Sequence, residues 1–320
     1  MKPVLVAGHI CLDIIPALPE FSGFLPGQLQ EVGPARLSTG GAVSNVGRAL
    51  DRLGVPVQLL GVVGDDLFGR NIQSLLGSLG HDLVTASDVG TSYTVVLDPP
   101  GSDRMFLHHP GANARFSSDH VSAHALASAS HLHFGYPTLM EQISSANGQE
   151  LRMLFERARL AGLTTSLDLT VPDPSSRLRD VYWPELLANV LPFVDDFLPS
   201  RDDLAPMFHQ DDPVHLVTRC HELGAERVLL KCGERGALIS DGQDVYWQEP
   251  HPADFVGATG AGDAFIAGYL YGKRQDLDLR RCTEIAAIVG AACCEAADAV
   301  SGIPTEPELL ARLRATMDMA

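Results

Sequence analysis

Two rhythms of hydrophobic positions divide the chain. From about residue 120, short unbroken apolar runs alternate with longer segments in which apolar residues recur every three or four positions. The runs predict strands at 131–134, 165–169, 193–198, 227–231 and 237–240, and the longer segments predict helices near 144–161, 184–191 and 214–223. Strands that alternate with helices imply right-handed crossovers and a mostly parallel sheet. Upstream, 3–8 and 57–63 read as buried strands, with helices from about 46 to 53, stopping at Gly54, and from about 66 to 79. Downstream, helices are expected at 266–271, about 283–297 and 307–314. Two stretches break the rhythm. Residues 14–39 are rich in Pro and Gly with short apolar pieces such as 29–32, and 91–97 and 104–108 flank a predicted hairpin at 99–103. They predict a small sheet projecting from the main body.

Composition narrows the class. With 320 residues and 45% hydrophobic content the chain can bury one large core. Its 23 basic and 40 acidic residues leave a net charge of −17, which argues against nucleic acid or an anionic membrane as partner. An anionic nucleotide must then be held locally, by amides and a metal ion. No apolar run reaches the ~18 residues of a membrane span, and the N-terminal run is too short for a signal peptide. The six cysteines show no paired spacing, so a reduced cytoplasmic setting is expected.

The candidate chemistry concentrates at 257–265, Gly-Ala-Thr-Gly-Ala-Gly-Asp-Ala-Phe, which reads as a tight turn opening a helix. Such a turn aims backbone N–H groups at one point, a ready site for phosphate or a developing anion. Asp263 would repel a phosphate, so beside an anion hole it is better used as a proton acceptor; the alternative is a carboxylate that merely caps the helix. Asp13 lies just past the end of the first strand, where open α/β sheets place ligand groups. Gly40 and Gly41 permit close approach of a ligand, and Asn45 offers both a donor and an acceptor to a polyol. Lys231 precedes a Gly233-to-Gly236 turn that either lies along a nucleotide or is a plain hairpin. Asp65 and Asp66 read as helix caps rather than a metal pair. His108 and His109 point to opposite faces of an extended strand, one lining a pocket and one solvated. The small residues Ala286, Ala287, Gly290, Ala291 and Ala292 admit a flat ring or a neighbouring helix.

Taken together, Gly40-Gly41 through Asn45, Gly54, the segment 62–69, Gly111-Ala112-Asn113 and the segment 259–265 resemble the ribokinase-like, PfkB-type carbohydrate kinases. The resemblance runs from Val4 to about Pro304. It implies a doubly wound α/β fold in a single domain, 1–320, with a small β lid built from about 12–38 and 91–110. It also implies ATP-dependent phosphorylation of a sugar-like hydroxyl with Mg²⁺. On that resemblance Asp263 is the base, and the amides of Gly260, Ala261 and Gly262 form the anion hole. Asp13, Gly40, Gly41 and Asn45 bind substrate, and Lys231, Gly233, Gly236 and Thr259 bind nucleotide. A homodimer pairing lid edges is expected. The chain departs from the family where Asn-x-x-Glu is common: Ser200 and Asp203 stand there, leaving Asp203 for a water-mediated hold on Mg²⁺. Gly257 replaces a frequent aspartate and Asp298 a frequent glycine, so weak or absent potassium activation is expected. Phe106 and Tyr136 keep a nucleoside kinase in view. A non-catalytic sugar-binding relative is the third reading.

Overall fold

The computed structural model describes residues 2–18, 23, 26–99 and 104–319. An eight-stranded sheet forms the body. Strands Val57–Leu60, Val4–Gly8, His131–Gly135, Thr164–Asp168, Asp196–Phe197 and Arg227–Lys231 lie side by side and parallel, followed by Ala237–Ser240 and Val245–Gln248 antiparallel at one edge. The parallel strands are near-continuous apolar runs because both faces are covered. In Val4–Gly8, Leu5 and Ala7 enter one core while Val4 and Val6 enter the other; Val228 and Leu230 are likewise separated from Leu229. One core is closed by helices Glu141–Leu160, Trp183–Val190 and Pro213–Glu222. The other is closed by Ala42–Arg52, Ala261–Arg274, Leu279–Cys293 and Glu306–Met319. This is a doubly wound α/β architecture.

A separate four-stranded sheet is ordered Ala35–Gly40, Cys11–Pro16, Tyr93–Leu97, Met105–His109. Alternate residues of its four strands face a common cavity: Cys11, Asp13 and Ile15; Arg36, Ser38 and Gly40; Thr94 and Val96; Phe106 and His108. The hairpin expected at 99–103 falls mostly outside the described residues. The expected 29–32 piece forms no strand, and Leu29 is 92% exposed.

Other expectations shift for identifiable reasons. The 57–63 run breaks at Gly61, whose backbone presses against Ile10 so closely that a Cβ there would sit 2.7 Å from Ile10 Cγ2. Val62–Gly64 leaves the large sheet to pair with Val84–Ala86. The strand expected at 193–198 shortens to Asp196–Phe197, with a 3₁₀ turn, Leu191–Phe193, before it and Pro199 after it. Helix Glu141–Leu160 is interrupted by non-helical backbone at Ser145, Ala146, Asn147 and Gly148. Asp66 caps helix Leu67–Leu76, accepting from Gly69 N and Thr91 N, each at 2.8 Å. Among the described residues no cluster of three or more His, Cys, Asp or Glu could hold a metal ion, no helix is long and apolar enough to cross a membrane, and all six cysteines are free.

Candidate active site

The carboxyl ends of five parallel strands converge on one region, as open α/β sheets require of their ligand sites. His9 follows Val4–Gly8, Tyr136 follows His131–Gly135, Asp168 ends its strand, Ser200 and Asp203 open helix Arg201–Phe208, and Lys231 ends Arg227–Lys231. Above them the small sheet bounds a cavity of about 920 Å³. Asp13, Gly40, Gly41, Asn45, Thr259, Gly260 and Asp263 all line it. Sequence positions more than 200 apart thus share one chamber.

Asp263 sits in the first turn of helix Ala261–Arg274, 3% exposed. Tyr136 Oη donates to both its oxygens, at 2.8 Å to Oδ1 and 2.9 Å to Oδ2, and Asn45 Nδ2 donates to Oδ2 at 2.9 Å. Burial pushes the Asp263 carboxyl above the ordinary range, while Asn45, the Lys231 charge and Tyr136 pull it back. A carboxylate whose pKa is raised in this way takes up a proton more readily than a free one.

The turn before the helix leaves donors free. Gly260 is left-handed at φ 74, Ala261 N makes a 3.3 Å turn bond to Ala258 O, and Ala264 N reaches Gly260 O at 2.8 Å. The N–H groups of Gly260, Gly262 and Asp263 find no backbone acceptor among the described residues. Thr259 Oγ1 is buried with no partner among the described residues. A Cβ on Gly262 would lie 3.3 Å from Lys231 Nζ, so the missing side chain leaves a cradle between amides and an ammonium. Unpaired donors, an orphan hydroxyl and a cation at one helix start suit phosphate oxygens.

Lys231 also pairs with Asp168, Nζ to Oδ1 at 2.8 Å. Burial drives the Asp168 carboxyl upward, Lys231 opposes it, and Asp203 and Asp263 add to the rise. Gly233 and Gly236 form the left-handed corners of the turn after Lys231, at φ 59 and 81, and do not line the cavity. Ser200 and Asp203 make a capping box: Asp203 N donates to Ser200 Oγ at 3.1 Å and Ser200 N to Asp203 Oδ2 at 2.7 Å. Asp203 Oδ1 makes no hydrogen bond among the described residues, so this oxygen could meet a Mg²⁺ ion through a water. Asp298 uses its carboxylate on its own turn, accepting from Val300 N at 2.9 Å and from Ser301 N and Oγ at 2.7 and 2.6 Å.

On the small sheet the residues facing the cavity include a polar chain. His108 Nδ1 and Thr94 Oγ1 are 3.0 Å apart, Thr94 Oγ1 donates to Cys11 Sγ at 3.6 Å, and Cys11 Sγ to Asp13 Oδ1 at 3.3 Å. His108 lines the cavity, whereas His109 stacks beside Tyr93. The His9 ring lies 5.1 Å from that of His108, with both nitrogens buried and unpartnered; burial first, then His108, keeps its pKa low and the ring neutral.

Sequence reasoning missed Asp168, Cys11, His9 and the hydroxyl of Tyr136. Asp168 carried the same signal as Asp13, a charge ending an apolar strand. Tyr136 stood out only as an aromatic residue near the pocket; nothing marked its hydroxyl, because its contact with Asp263 spans 127 positions. The small residues Ala286 and Gly290 are explained by helix packing: a Cβ on Gly268 would lie 2.9 Å from Ala286 Cα, and one on Gly290 3.4 Å from Phe265 Cβ.

A doubly wound sheet with a small second sheet over the strand ends, and an aspartate at a glycine-rich helix start, has the architecture of the ribokinase fold. The solved structure of Arabidopsis thaliana ribokinase complexed with ribose and ATP matches it with a TM-score of 0.79 at 21% identity, covering 98% of this chain and 99% of that one. The chain belongs to the pfkB family of carbohydrate kinases: the family model described as "pfkB family carbohydrate kinase" matches residues 1–306. It is 28% identical to an ATP-dependent ribose-1-phosphate kinase of Halopiger xanaduensis, over 91% of each chain. It is 26% identical to a nucleoside kinase of Methanothermobacter thermautotrophicus, over 98% of this chain and 96% of that relative.

Proposed function

We propose that this kinase transfers the γ-phosphoryl group of ATP to a hydroxyl of a sugar or sugar-like small molecule. The observation that carries the reading is Asp263, a buried carboxylate at the cavity floor beside free helix-start amides. In this reading Asp13, Gly40, Gly41 and Asn45 bind and orient the acceptor. Asp263 takes the hydroxyl proton as the acceptor oxygen bonds to phosphorus and the bond to the β-phosphate oxygen breaks. The amides of Gly260 and Gly262 receive the charge of the transferring group, joined by that of Ala261 when its 3.3 Å turn bond to Ala258 O is given up. Lys231, Gly233, Gly236 and Thr259 lie along the nucleotide. Mg²⁺, when bound with the nucleotide, supplies neutralisation of phosphate charge, and Asp203 would hold it through water. The small sheet of Cys11–Pro16, Ala35–Gly40, Tyr93–Leu97 and Met105–His109 acts as a lid whose closure excludes water and suppresses hydrolysis of ATP. The relative named ATP-dependent and the neighbour complexed with ATP support the choice of donor.

A nucleoside acceptor is the second reading, favoured by one feature of the small sheet. Cross-strand partners Val96 and Phe106 line the cavity with Ile15, and Phe106 is 58% exposed, an apolar row that a base would cover and a bare polyol would not.

The test is ADP release from Mg-ATP with pools of pentoses, hexoses, sugar acids, sugar phosphates and nucleosides, with Asp263→Asn alongside. Activity in one pool that falls at least ~10²-fold in the variant is expected. Unchanged turnover in Asp263→Asn removes the base assignment, and silence in every pool from folded, ATP-binding protein points to an untested substrate first and to a non-catalytic relative second. The same assay in potassium and in a bulky organic cation should give equal rates, since Asp298 closes its own turn and Gly257 offers no carboxylate; a large potassium stimulation would contradict this.

A further inference from the structure

We infer that Tyr136 is a positioning residue that aims one lone pair of Asp263 Oδ1 at the acceptor hydroxyl, an inference that rests on the base assignment above. A carboxylate has about four acceptor sites, two on each oxygen. Oδ2 receives Asn45 Nδ2 and one branch of the Tyr136 hydroxyl, and Oδ1 receives only the other branch. The carboxylate is thereby pinned in its plane with one site on Oδ1 left open. The open site is where a substrate proton can go.

The backbone supports a placed role. Tyr136 is left-handed at φ 63 and ψ 44, a conformation that strains a non-glycine residue. It is fixed from both sides, by Tyr136 N donating to Asp168 O at 3.2 Å and by the 3₁₀ turn Pro137–Leu139 that follows. Glycine at this position would remove the strain but also the hydroxyl. Burial first, then the charges of Asp263 and Asp168, keeps the phenol pKa well above its ordinary value, so the group stays a donor.

The groups facing Asp263 are Asn45 from helix Ala42–Arg52, Tyr136 after its strand, Lys231 at a strand end, Asp203 from helix Arg201–Phe208, Asp168, and Cys293 from helix Leu279–Cys293. Of these, Tyr136 and Asn45 hydrogen-bond the carboxylate and favour its charged form. Removing the Tyr136 hydroxyl should therefore let Asp263 take its proton at higher pH.

Tyr136→Phe deletes that hydroxyl and keeps the ring. Two readouts test it: the titration of Asp263 in free protein, by infrared spectroscopy of ¹³C-aspartate-labelled samples with Asp263→Asn subtracted, and ADP release from Mg-ATP with D-ribose, D-fructose and adenosine as acceptors. The expected result is an Asp263 titration moved to higher pH, kcat lowered about tenfold, as loss of a hydrogen bond to a charge implies, and an unchanged KM for Mg-ATP. Replacing Tyr136 with 3-fluorotyrosine, a stronger donor, should move the titration to lower pH, and this arm decides the matter if the Phe variant is poorly folded. Identical Asp263 titration in all three proteins overturns the inference, as does full kcat in Tyr136→Phe. If none of the three acceptors reacts, the acceptor lies outside this set and the Asp263 titration alone decides whether Tyr136 controls the carboxylate.

Discussion

Burial pushes the Asp13 carboxyl up to about 6, with the Cys11 thiol and the Arg36 charge pulling weakly the other way. The side chain lies so close to Gly40 that a Cβ there would fall 2.3 Å from Asp13 Oδ2, whereas Gly41 is needed for its left-handed φ of 86 as well as for the approach of His9 O. The adjacent glycines thus answer different demands. If Asp13 accepts hydrogen bonds from acceptor hydroxyls, it does so as the anion, and the ionised fraction falls as pH drops through about 6. The acceptor KM should therefore rise below that pH in the wild type. In Asp13→Asn it should be about tenfold higher at pH 8, the scale of a lost hydrogen bond to a charge, and lose the acidic rise. A wild-type KM that stays flat from pH 7 to 5 would remove Asp13 from the acceptor site.

At the scale of elements, the periodic signal was strong where an element packs against the sheet and weak where capping or edges decide. Helix Arg201–Phe208 was missed because Pro206 lies inside it and charged residues crowd its start, yet the Ser200–Asp203 box closes its first turn. Strand Val245–Gln248 was missed because it is short and its register comes from antiparallel pairing with Ala237–Ser240. The edge strand Met105–His109 is exposed along its whole length, with Met105, Phe106 and Leu107 each more than a third exposed. An unpaired apolar edge of this kind favours association with a second copy. Sedimentation velocity should show a dimer at micromolar concentration, dissociated by Leu107→Lys, which turns a charge onto the face away from the cavity. A monomeric wild type would end this expectation.

For the whole molecule, the buried anchor is Asp196, far from the proposed chemistry. Arg227 Nε, Lys273 Nζ and Tyr269 Oη reach its two oxygens at 2.6, 2.6 and 2.8 Å, tying neighbouring strands to helix Ala261–Arg274. Burial alone would raise this carboxyl, but Lys273 and Arg227 together hold it below its ordinary value of 3.8. A depressed acid stabilises the fold above its unfolded pKa, and that contribution is lost as pH falls through the folded value. Asp196→Asn should lower unfolding free energy by about 3 kcal/mol at pH 7, the low end for breaking a buried pair because both cations are partly exposed, and the difference should shrink in acid. Urea unfolding at pH 7 and pH 3 measures both; an equal deficit at the two pH values would contradict the assignment.

Local pattern alone determined the order of most strands and helices, the parallel sheet and the glycine-rich helix start, because backbone hydrogen bonding and apolar periodicity act over a few residues. It also marked Asp13, Asn45 and Asp263, since polar groups in apolar or glycine-rich surroundings stand out along the chain. Tertiary structure decided that Asn45 and Tyr136 meet on Asp263, across 218 and 127 positions, that Lys231 stands beside Gly262 while paired with Asp168, and that Asp196 gathers three partners. Those contacts follow from which strand ends become neighbours in the sheet. No spacing along the chain encodes that adjacency.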